Sequence, residues 1–191
     1  IRAAPDDLRQ LLSAAVESGA TRLCLCDTVG AAVPWAVRNL VTWVGGLLNE
    51  WGVADRVGID WHGHRDRGLD LANTLAALEA GATRVHGTAL GVGERVGNTP
   101  IDHLMVNMRL LGWIERDLTR LGEYCRAVSE ATGVPIPNNY PVMGTDAFET
   151  ATGVHAAAVI KSYRKGDAWL ADGLSSGVVA GAYGREPGSR R

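Results

Sequence analysis

The chain has 191 residues, is 46% hydrophobic and has a formal net charge of -2 at pH 7. That length suits one domain of ordinary size, and the lack of a basic excess argues against a nucleic-acid partner. No apolar run reaches the roughly 20 residues that span a bilayer, and the first residues lack the charged-then-apolar pattern of a signal peptide. The three cysteines lack the spacing of a disulfide framework, so we expect a cytoplasmic protein with no membrane partner.

The first part of the chain alternates between helical and extended patterns. Apolar residues recur at helical spacing after Pro5, Pro34 is placed to open a second helix, and Gly81 ends a third. The patterns predict helices over residues 5–19, 34–51 and 68–80, and strands over residues 21–26, 57–61 and 84–89. Strands and helices in alternation indicate an α/β fold with parallel strands.

The strand signal ends after about residue 100. Residues 101–112, about 115–131 and about 145–161 have helical patterns instead. We therefore expect two parts in the chain. Residues 1–112 contain the α/β pattern, and residues 113–191 form a helical annex that ends in a flexible C-terminal tail.

Polar side chains follow each of the three predicted strands. They are Asp27 and Thr28, then His62 and His64, then His86 and Thr88. In a parallel α/β barrel, the carboxyl ends of the strands are where catalytic groups collect. Three strands cannot close such a barrel, which needs eight, and a parallel sheet with bare edges is unstable. The sequence therefore predicts an incomplete sheet with a candidate site at the carboxyl edge of its strands.

His62 and His64 are the most informative residues for function. Side chains alternate along a strand, so histidines at i and i+2 share one face and can bind one divalent metal ion. Ordinary strand histidines are the alternative for a lone pair of this kind. Cys24 and Cys26 also share a strand face, where small buried apolar side chains are the usual interpretation and a metal role is the alternative.

Five motifs resemble, in order and spacing, the later part of a known enzyme family. They are DTVG (27–30), HGHRDRGL (62–69), EAGATRVHGT (79–88), GVGERVGN (91–98) and GVHAAAVIK (153–161). The family is that of the 2-isopropylmalate and homocitrate synthases, of the DRE-TIM metallolyase type. Its members are metal-dependent barrels that condense acetyl-CoA with a 2-oxo acid and hydrolyse the thioester. The resemblance implies a Claisen-type acyltransferase with a divalent metal (Zn, Mn, Mg or Co) and acetyl-CoA as co-substrate.

The resemblance covers nearly the whole chain but only the end of the family's barrel. It implies that residues 1–112 form the last three βα units of a (β/α)8 TIM barrel, strands six to eight, followed by a helical subdomain. The family's first five strands, with an Asp-Arg-Glu motif that supplies a metal ligand, have no counterpart in these residues. We expect a partner subunit to supply them in a heterodimer or higher heteromer. A fragment of a longer chain is the alternative.

The resemblance also implies roles for individual residues. Metal ligands fall at His62, His64 and Asn98, substrate contacts at Thr28, His86 and Thr88, and catalytic groups at His155 and Tyr163, with Tyr140 as the alternative tyrosine. His155 corresponds to the family histidine that helps to deprotonate acetyl-CoA, but the Gln-Asp that commonly follows it is replaced by alanines at 156–158. The alternative roles are a turn residue for Asn98, a helix cap for Thr28 and a core histidine for His86.

Two other classes of function stay open. Related barrel lyases and biotin-dependent carboxyltransferases also place paired histidines on a strand, although the cysteine-bearing glycine loop of the lyases is not found in this sequence. A non-catalytic regulatory subunit would keep the fold without the chemistry, and the retention of His62, His64, Asn98 and His155 argues against it. The residues that select the 2-oxo acid would lie on the missing strands, so the sequence predicts no single substrate.

Overall fold

The chain divides into two compact units, residues 1–100 and 101–191. A computed structural model describes residues 3–149 and 153–167. The first unit contains α1 (Pro5–Glu17), β1 (Arg22–Asp27), α2 (Pro34–Glu50), β2 (Gly58–Gly63), α3 (Asp70–Glu79) and β3 (Arg84–Val85). The second contains α4 (Ile101–Leu110), α5 (Leu121–Thr132) and α6 (Gly153–Arg164). The helix α4, which we predicted in the first part, belongs to the second unit. The predicted tail, the last ten or so residues, lies outside the described residues.

The three strands form one parallel sheet in the order β1-β2-β3. Strand β1 pairs with β2 along its whole length, from Arg22 opposite Gly58 to Asp27 opposite Gly63. The helices α2 and α3 connect consecutive strands, as parallel pairing requires. All three strands therefore end at the same edge of the sheet.

The two faces of the sheet differ in chemistry. On one face, Leu23 and Leu25 of β1 and Ile59 and Trp61 of β2 are buried in a core. The core also contains the fully buried valines of α2, which are Val37, Val41 and Val44. Because side chains alternate, the residues between them, such as Cys24, Cys26 and His62, face away from this core. Burial of each large apolar side chain contributes about 1.5–3 kcal/mol to the free energy of folding. This apolar layer is therefore the main source of stability of the first unit.

The third strand is shorter than the prediction, which extended it over residues 84–89. The backbone amide of His86 still donates to the carbonyl of Trp61 at 2.9 Å. From Thr88 onward the partner changes, since the Thr88 amide donates to the Thr99 carbonyl at 2.9 Å. The chain thus folds back on residues 97–100 and leaves the sheet, a long-range pairing that no local pattern reports.

Two helices of the second unit begin later than predicted. Helix α5 starts at Leu121 because the Asp117 carboxylate accepts a hydrogen bond from the Thr119 amide at 2.9 Å, a local turn that competes with helix formation. The third predicted helix, 145–161, corresponds to a separate 3-10 turn at Thr145–Phe148 followed by Gly153–Arg164, and residues 150–152 between them are not described.

The predicted α/β class is confirmed by three parallel strands and six α-helices among the described residues. A TIM barrel would need five more strands to close. In the part of the chain that the structure describes, every helix is too short or too polar to cross a bilayer.

Candidate active site

Three histidines meet at the carboxyl edge of the sheet. His62 lies in β2, His64 follows β2 directly, and His86 follows β3. The ring centroid of His62 lies 5.2 Å from that of His64 and 5.4 Å from that of His86. The Nδ1 atoms of His62 and His86 are 3.4 Å apart, close enough to share a proton if one ring is the donor tautomer. The structure therefore brings together the pair that the i, i+2 spacing predicts, and adds His86 to it.

The surroundings of His62 favour its neutral form. Burial lowers the pKa of the His62 imidazole, and positive charge on His64 and on His86 lowers it further. The neutral ring therefore persists to lower pH than in an exposed histidine. A neutral imidazole has a nitrogen lone pair to offer to a cation, which a protonated ring lacks.

Asn98 lies against His64, as its predicted role requires. Its backbone forms a bridge with His64, and its side-chain nitrogen donates to the Gly63 carbonyl at 3.2 Å and lies 3.4 Å from His64 Nδ1. Both side chains are buried, with 8% and 7% of their surfaces exposed for Asn98 and His64. All three residues predicted to bind metal are thus neighbours in space, although His64 and Asn98 are 34 positions apart in the chain.

This donor set suits a divalent cation but does not complete a site. Two imidazoles and one amide are mixed nitrogen and oxygen ligands, which Zn, Mn, Mg and Co all accept. Among residues 3–149 and 153–167, no three His, Cys, Asp or Glu side chains, the three neighbouring histidines included, are placed so that they could hold one metal ion. The described residues therefore fit a partial coordination sphere that needs at least one further ligand.

The glycine-rich loop is explained by close packing around Asn98. A Cβ atom at Gly93 would lie 2.1 Å from Asn98 Oδ1, and one at Gly97 would lie 1.9 Å from the Gly91 carbonyl oxygen. Gly97 also has a φ of +106°, which favours glycine. Because Gly91, Gly93 and Gly97 have no side chains, the loop can pass close to the side-chain amide of Asn98. The GVGERVGN pattern alone did not indicate this packing role.

Arg95 connects this loop to the end of β1. Its guanidinium donates to both carboxylate oxygens of Asp66, at 2.8 and 2.9 Å, and to the backbone carbonyl of Thr28 at 2.7 Å. The hydrogen bonds from Arg95 lower the pKa of the Asp66 carboxyl, despite a smaller opposing effect of burial. Sequence reasoning missed this connection because Arg95 and Thr28 are 67 positions apart.

Thr28 lies in a loop that Asp27 holds in place. The buried carboxylate of Asp27 accepts hydrogen bonds from the amides of Ala31 and Ala32, each at 3.0 Å. The loop and the start of α2 line an open hollow formed by Asp27, Thr28, Val29, Ala31, Ala32, Val33 and Ala36. Thr28 is exposed there, so its hydroxyl has access to a small molecule.

The two other predicted substrate contacts have different surroundings. His86 contacts His62, and its Nε2 lies 3.5 Å from the Asp60 carboxylate. The Thr88 hydroxyl is buried and has no hydrogen-bond partner among the described residues. A buried hydroxyl without a partner costs free energy, which a bound polar group would recover.

The predicted catalytic residues lie in the second unit. His155 and Tyr163 are both exposed on α6. They are eight positions apart, which corresponds to about 12 Å along a helix axis. The two side chains are therefore attached too far apart along the helix for a direct hydrogen bond. Their catalytic roles stay predictions.

Asp60 anchors an ion cluster below the histidines. Only 3% of its side-chain surface is exposed, and it accepts hydrogen bonds from Arg22 Nε at 2.6 Å and Arg84 Nε at 2.8 Å. Burial is the largest single effect and opposes ionisation, yet the two arginines together lower the pKa of the Asp60 carboxyl. The cluster connects all three strands on the face that also contains His62.

We expect Asp60→Asn to lower the free energy of unfolding by about 2 kcal/mol at pH 7, because it removes charge-assisted hydrogen bonds to both arginines. The folded pKa is depressed, so the difference from wild type should be complete above the unfolded pKa of about 3.9 and should shrink as pH falls through the folded value. Urea unfolding at several pH values measures it. Glu79→Gln, which removes an exposed ion pair with Arg38, is the control and should change little. Equal effects of both substitutions would contradict the prediction.

Comparison with known proteins decides the family. The family model described as HMGL-like matches residues 1–128. The chain belongs to the HMGL-like family. The resemblance drawn from the five motifs is thereby confirmed, since the relatives that this chain matches include a 2-isopropylmalate synthase and an (R)-citramalate synthase.

Two relatives and one solved structure illustrate the similarity. The chain is 37% identical over 162 residues to an (R)-citramalate synthase of Aquifex aeolicus and 34% identical over 161 residues to a 2-isopropylmalate synthase of Cronobacter sakazakii. These alignments cover 83% and 82% of the chain, and 30% of each relative. The chain is also similar to an HMG-CoA lyase from Acinetobacter baumannii, solved with coenzyme A and 3-methylmalate, with a TM-score of 0.59 at 27% identity over 68% of this chain and 43% of that one. The chain thus spans about 30% of the length of the curated relatives it matches.

Proposed function

We propose that this HMGL-like chain contributes the histidine-bearing part of an acyltransferase that condenses acetyl-CoA with a 2-oxo acid. The observation that supports this most directly is the adjacency of His62, His64 and Asn98 at the carboxyl edge of the sheet. The similarity to citramalate and 2-isopropylmalate synthases extends over the same residues. The activity proposed here is that of the assembled barrel, of which this chain is one part.

In this proposal His62, His64 and Asn98 would hold a divalent cation. When bound, such a cation supplies Lewis acidity to the keto oxygen of the 2-oxo acid and to the alkoxide that follows. The protein's own contribution is preorganisation. Asn98 fixes the ring of His64 through the contact at Nδ1, and the lowered pKa keeps His62 neutral.

Thr28 and Thr88 are proposed to bind polar groups of the substrate. The Thr28 hydroxyl can donate to the carboxylate of the 2-oxo acid, while Arg95 holds the backbone of Thr28 and Asp27 holds the following turn. Thr88 offers a buried hydroxyl that lacks a partner among the described residues. His86, in contact with His62, is proposed to complete the substrate side of the site.

His155 is proposed to accept the proton from the methyl group of acetyl-CoA, since an imidazole nitrogen can act as a general base. The proton then resides on an imidazole nitrogen while the new carbon-carbon bond forms. Tyr163 would act as a separate hydroxyl donor, because the helix places it about 12 Å along the axis from His155. The alanines at 156–158 depart from the family pattern, so His155 needs a different supporting partner.

The proposal includes polypeptide beyond these residues. A closed barrel needs five strands in addition to β1, β2 and β3, and the coordination sphere needs a further ligand. We propose that a partner subunit with an Asp-Arg-Glu motif supplies both, in a heterodimer or higher heteromer. A longer chain that includes these 191 residues would supply them equally well.

A lyase is the second candidate, favoured by the structural similarity to an HMG-CoA lyase. A lyase would cleave a carbon-carbon bond of a 3-hydroxyacyl-CoA and release acetyl-CoA. A synthase would instead consume acetyl-CoA and release free CoA. Whether acetyl-CoA is consumed or produced therefore distinguishes the two candidates.

The test mixes the chain with a polypeptide that supplies the first five strands. Free CoA release from acetyl-CoA is measured across 2-oxo acids of increasing side-chain size, with and without a chelator and then with added Zn, Mn, Mg or Co. The proposal expects CoA release that needs both polypeptides, a 2-oxo acid and the cation. Acetyl-CoA production from 3-hydroxy-3-methylglutaryl-CoA would favour the lyase. If the reconstituted assembly shows no activity in either assay, a non-catalytic subunit would be favoured.

A further inference from the structure

Side chains from other parts of the first unit hold the loop that joins β1 to α2. The backbone amides of Ala31 and Ala32 donate to the Asp27 carboxylate at 3.0 Å each. The Ala31 carbonyl accepts a hydrogen bond from Arg67 at 2.9 Å, and the Ala32 carbonyl accepts one from Asn73 at 3.1 Å. Both polar backbone groups of each alanine therefore have a side-chain partner, although this loop belongs to no helix or strand.

Asn73 is a fully enclosed polar residue of α3. Only 1% of its surface is exposed, and it lies 41 positions from Ala32 in the chain. The bond to the Ala32 carbonyl fixes the orientation of the amide, because only its nitrogen can donate. Its Oδ1 is buried and has no hydrogen-bond partner among the described residues. Such an acceptor costs free energy that an apolar side chain would avoid, so the filling of the core does not explain an asparagine at this position.

The same loop packs against the segment that follows the proposed metal ligand His64. A Cβ atom at Gly30 would lie 2.9 Å from the His64 carbonyl oxygen and 2.8 Å from the Asp66 amide nitrogen. The Thr28 end of the loop is held separately, through a hydrogen bond to its backbone carbonyl. Because the loop is short and in backbone contact at Gly30, its release at Ala32 would also shift Thr28.

From these contacts we infer that Asn73 is a positioning residue for the 2-oxo acid. It holds the loop in the shape that lets the Thr28 hydroxyl donate to the carboxylate of that substrate. Asn73 is buried in α3, so it acts through the loop and not by contact with the substrate. The inference rests on the proposed function for the identity of the substrate. The hydrogen bonds of the loop are present in the chain by itself and can be tested without it.

The first measurement is steady-state kinetics of the reconstituted assembly, with the 2-oxo acid that the wild type converts fastest. Asn73→Ala should raise the KM for this acid by about fivefold to tenfold, since one hydrogen bond that orders the loop is lost. The kcat and the KM for acetyl-CoA should stay close to wild type. Val44→Ala is the matched control, because Val44 is fully buried within α2 and its truncation lowers thermal stability while the hydrogen bonds of the loop remain. A purely structural role for Asn73 would leave the KM unchanged in both variants.

The second measurement is amide hydrogen exchange by NMR in the 191-residue chain. The amides of Ala31 and Ala32 should exchange about tenfold faster in Asn73→Ala than in Val44→Ala, because the loop opens locally. Arg67→Ala removes the adjoining bond from an exposed side chain, so it repeats the test with the core intact.

Exchange at these two amides that matches Val44→Ala in both loop variants would overturn the inference. So would faster exchange with an unchanged KM for the 2-oxo acid. Faster exchange beside a wild-type assembly that releases no CoA would refute the proposed function and still support the role of Asn73 in ordering the loop.

Discussion

His64→Ala should remove the bound cation and lower the rate of CoA release in the reconstituted assembly by about 10³-fold, because Lewis-acid stabilisation of several kcal/mol is lost. In the proposed site His64 contributes an imidazole, and its Nδ1 lies 3.4 Å from the side-chain nitrogen of Asn98. His62→Ala should have a similar effect on cation content, since it removes one of the two imidazoles of the proposed site and the remaining ligands bind the ion more weakly. Metal content by mass spectrometry and CoA release from acetyl-CoA measure the two consequences separately.

The matched control for this prediction is His103→Ala. His103 lies on α4, and its Nε2 hydrogen bonds with the Pro141 carbonyl at 2.9 Å, within the second unit. This substitution removes an imidazole and one hydrogen bond but no predicted ligand. Cation content should be unchanged in it. Full cation content and activity in both His62→Ala and His64→Ala would exclude these histidines from the metal site.

The regular part of the first unit could be predicted because its signals are local. Strand β2 and helix α2 follow from apolar periodicity and from Pro34, and the structure places both within a few residues of the prediction. Strand β3 was predicted too long because its end depends on the pairing of Thr88 with Thr99. That pairing depends on the path of the chain after the strand, which no residue pattern within the strand records.

The candidate site divides in the same way. The proximity of His62 and His64 follows from the two-residue repeat of a strand, so the sequence alone could predict it. The position of Asn98 beside His64 required the family resemblance, because the two are 34 positions apart. The bond from Arg95 to the Thr28 carbonyl had no signal in either source. Contacts between loops that are distant in sequence depend on the packed fold, so a local residue pattern cannot predict them.

The glycine-rich loop provides the second large effect that we expect. Gly97→Ala should disturb the proposed metal site without removing a ligand, because the new Cβ would lie 1.9 Å from the Gly91 carbonyl oxygen and the backbone must move. The Gly97 carbonyl also accepts a hydrogen bond from the Arg65 amide at 3.1 Å, next to His64. Movement here displaces Asn98, the following residue. Loss of a residue that orients a ligand typically lowers metal affinity by about 10–100-fold, and we expect a loss in that range.

Gly19→Ala separates this clash from backbone strain. Gly19 and Gly97 have similar φ values, +95° and +106°, but a Cβ at Gly19 meets nothing within 4 Å. Both variants share the cost of a left-handed conformation, roughly 1–2 kcal/mol, which thermal unfolding measures. Only Gly97→Ala should lose additional stability and cation affinity, as measured by isothermal titration with Zn²⁺. If the two variants bind Zn²⁺ equally well, the packing of the loop does not position Asn98, and the glycines serve the turn alone.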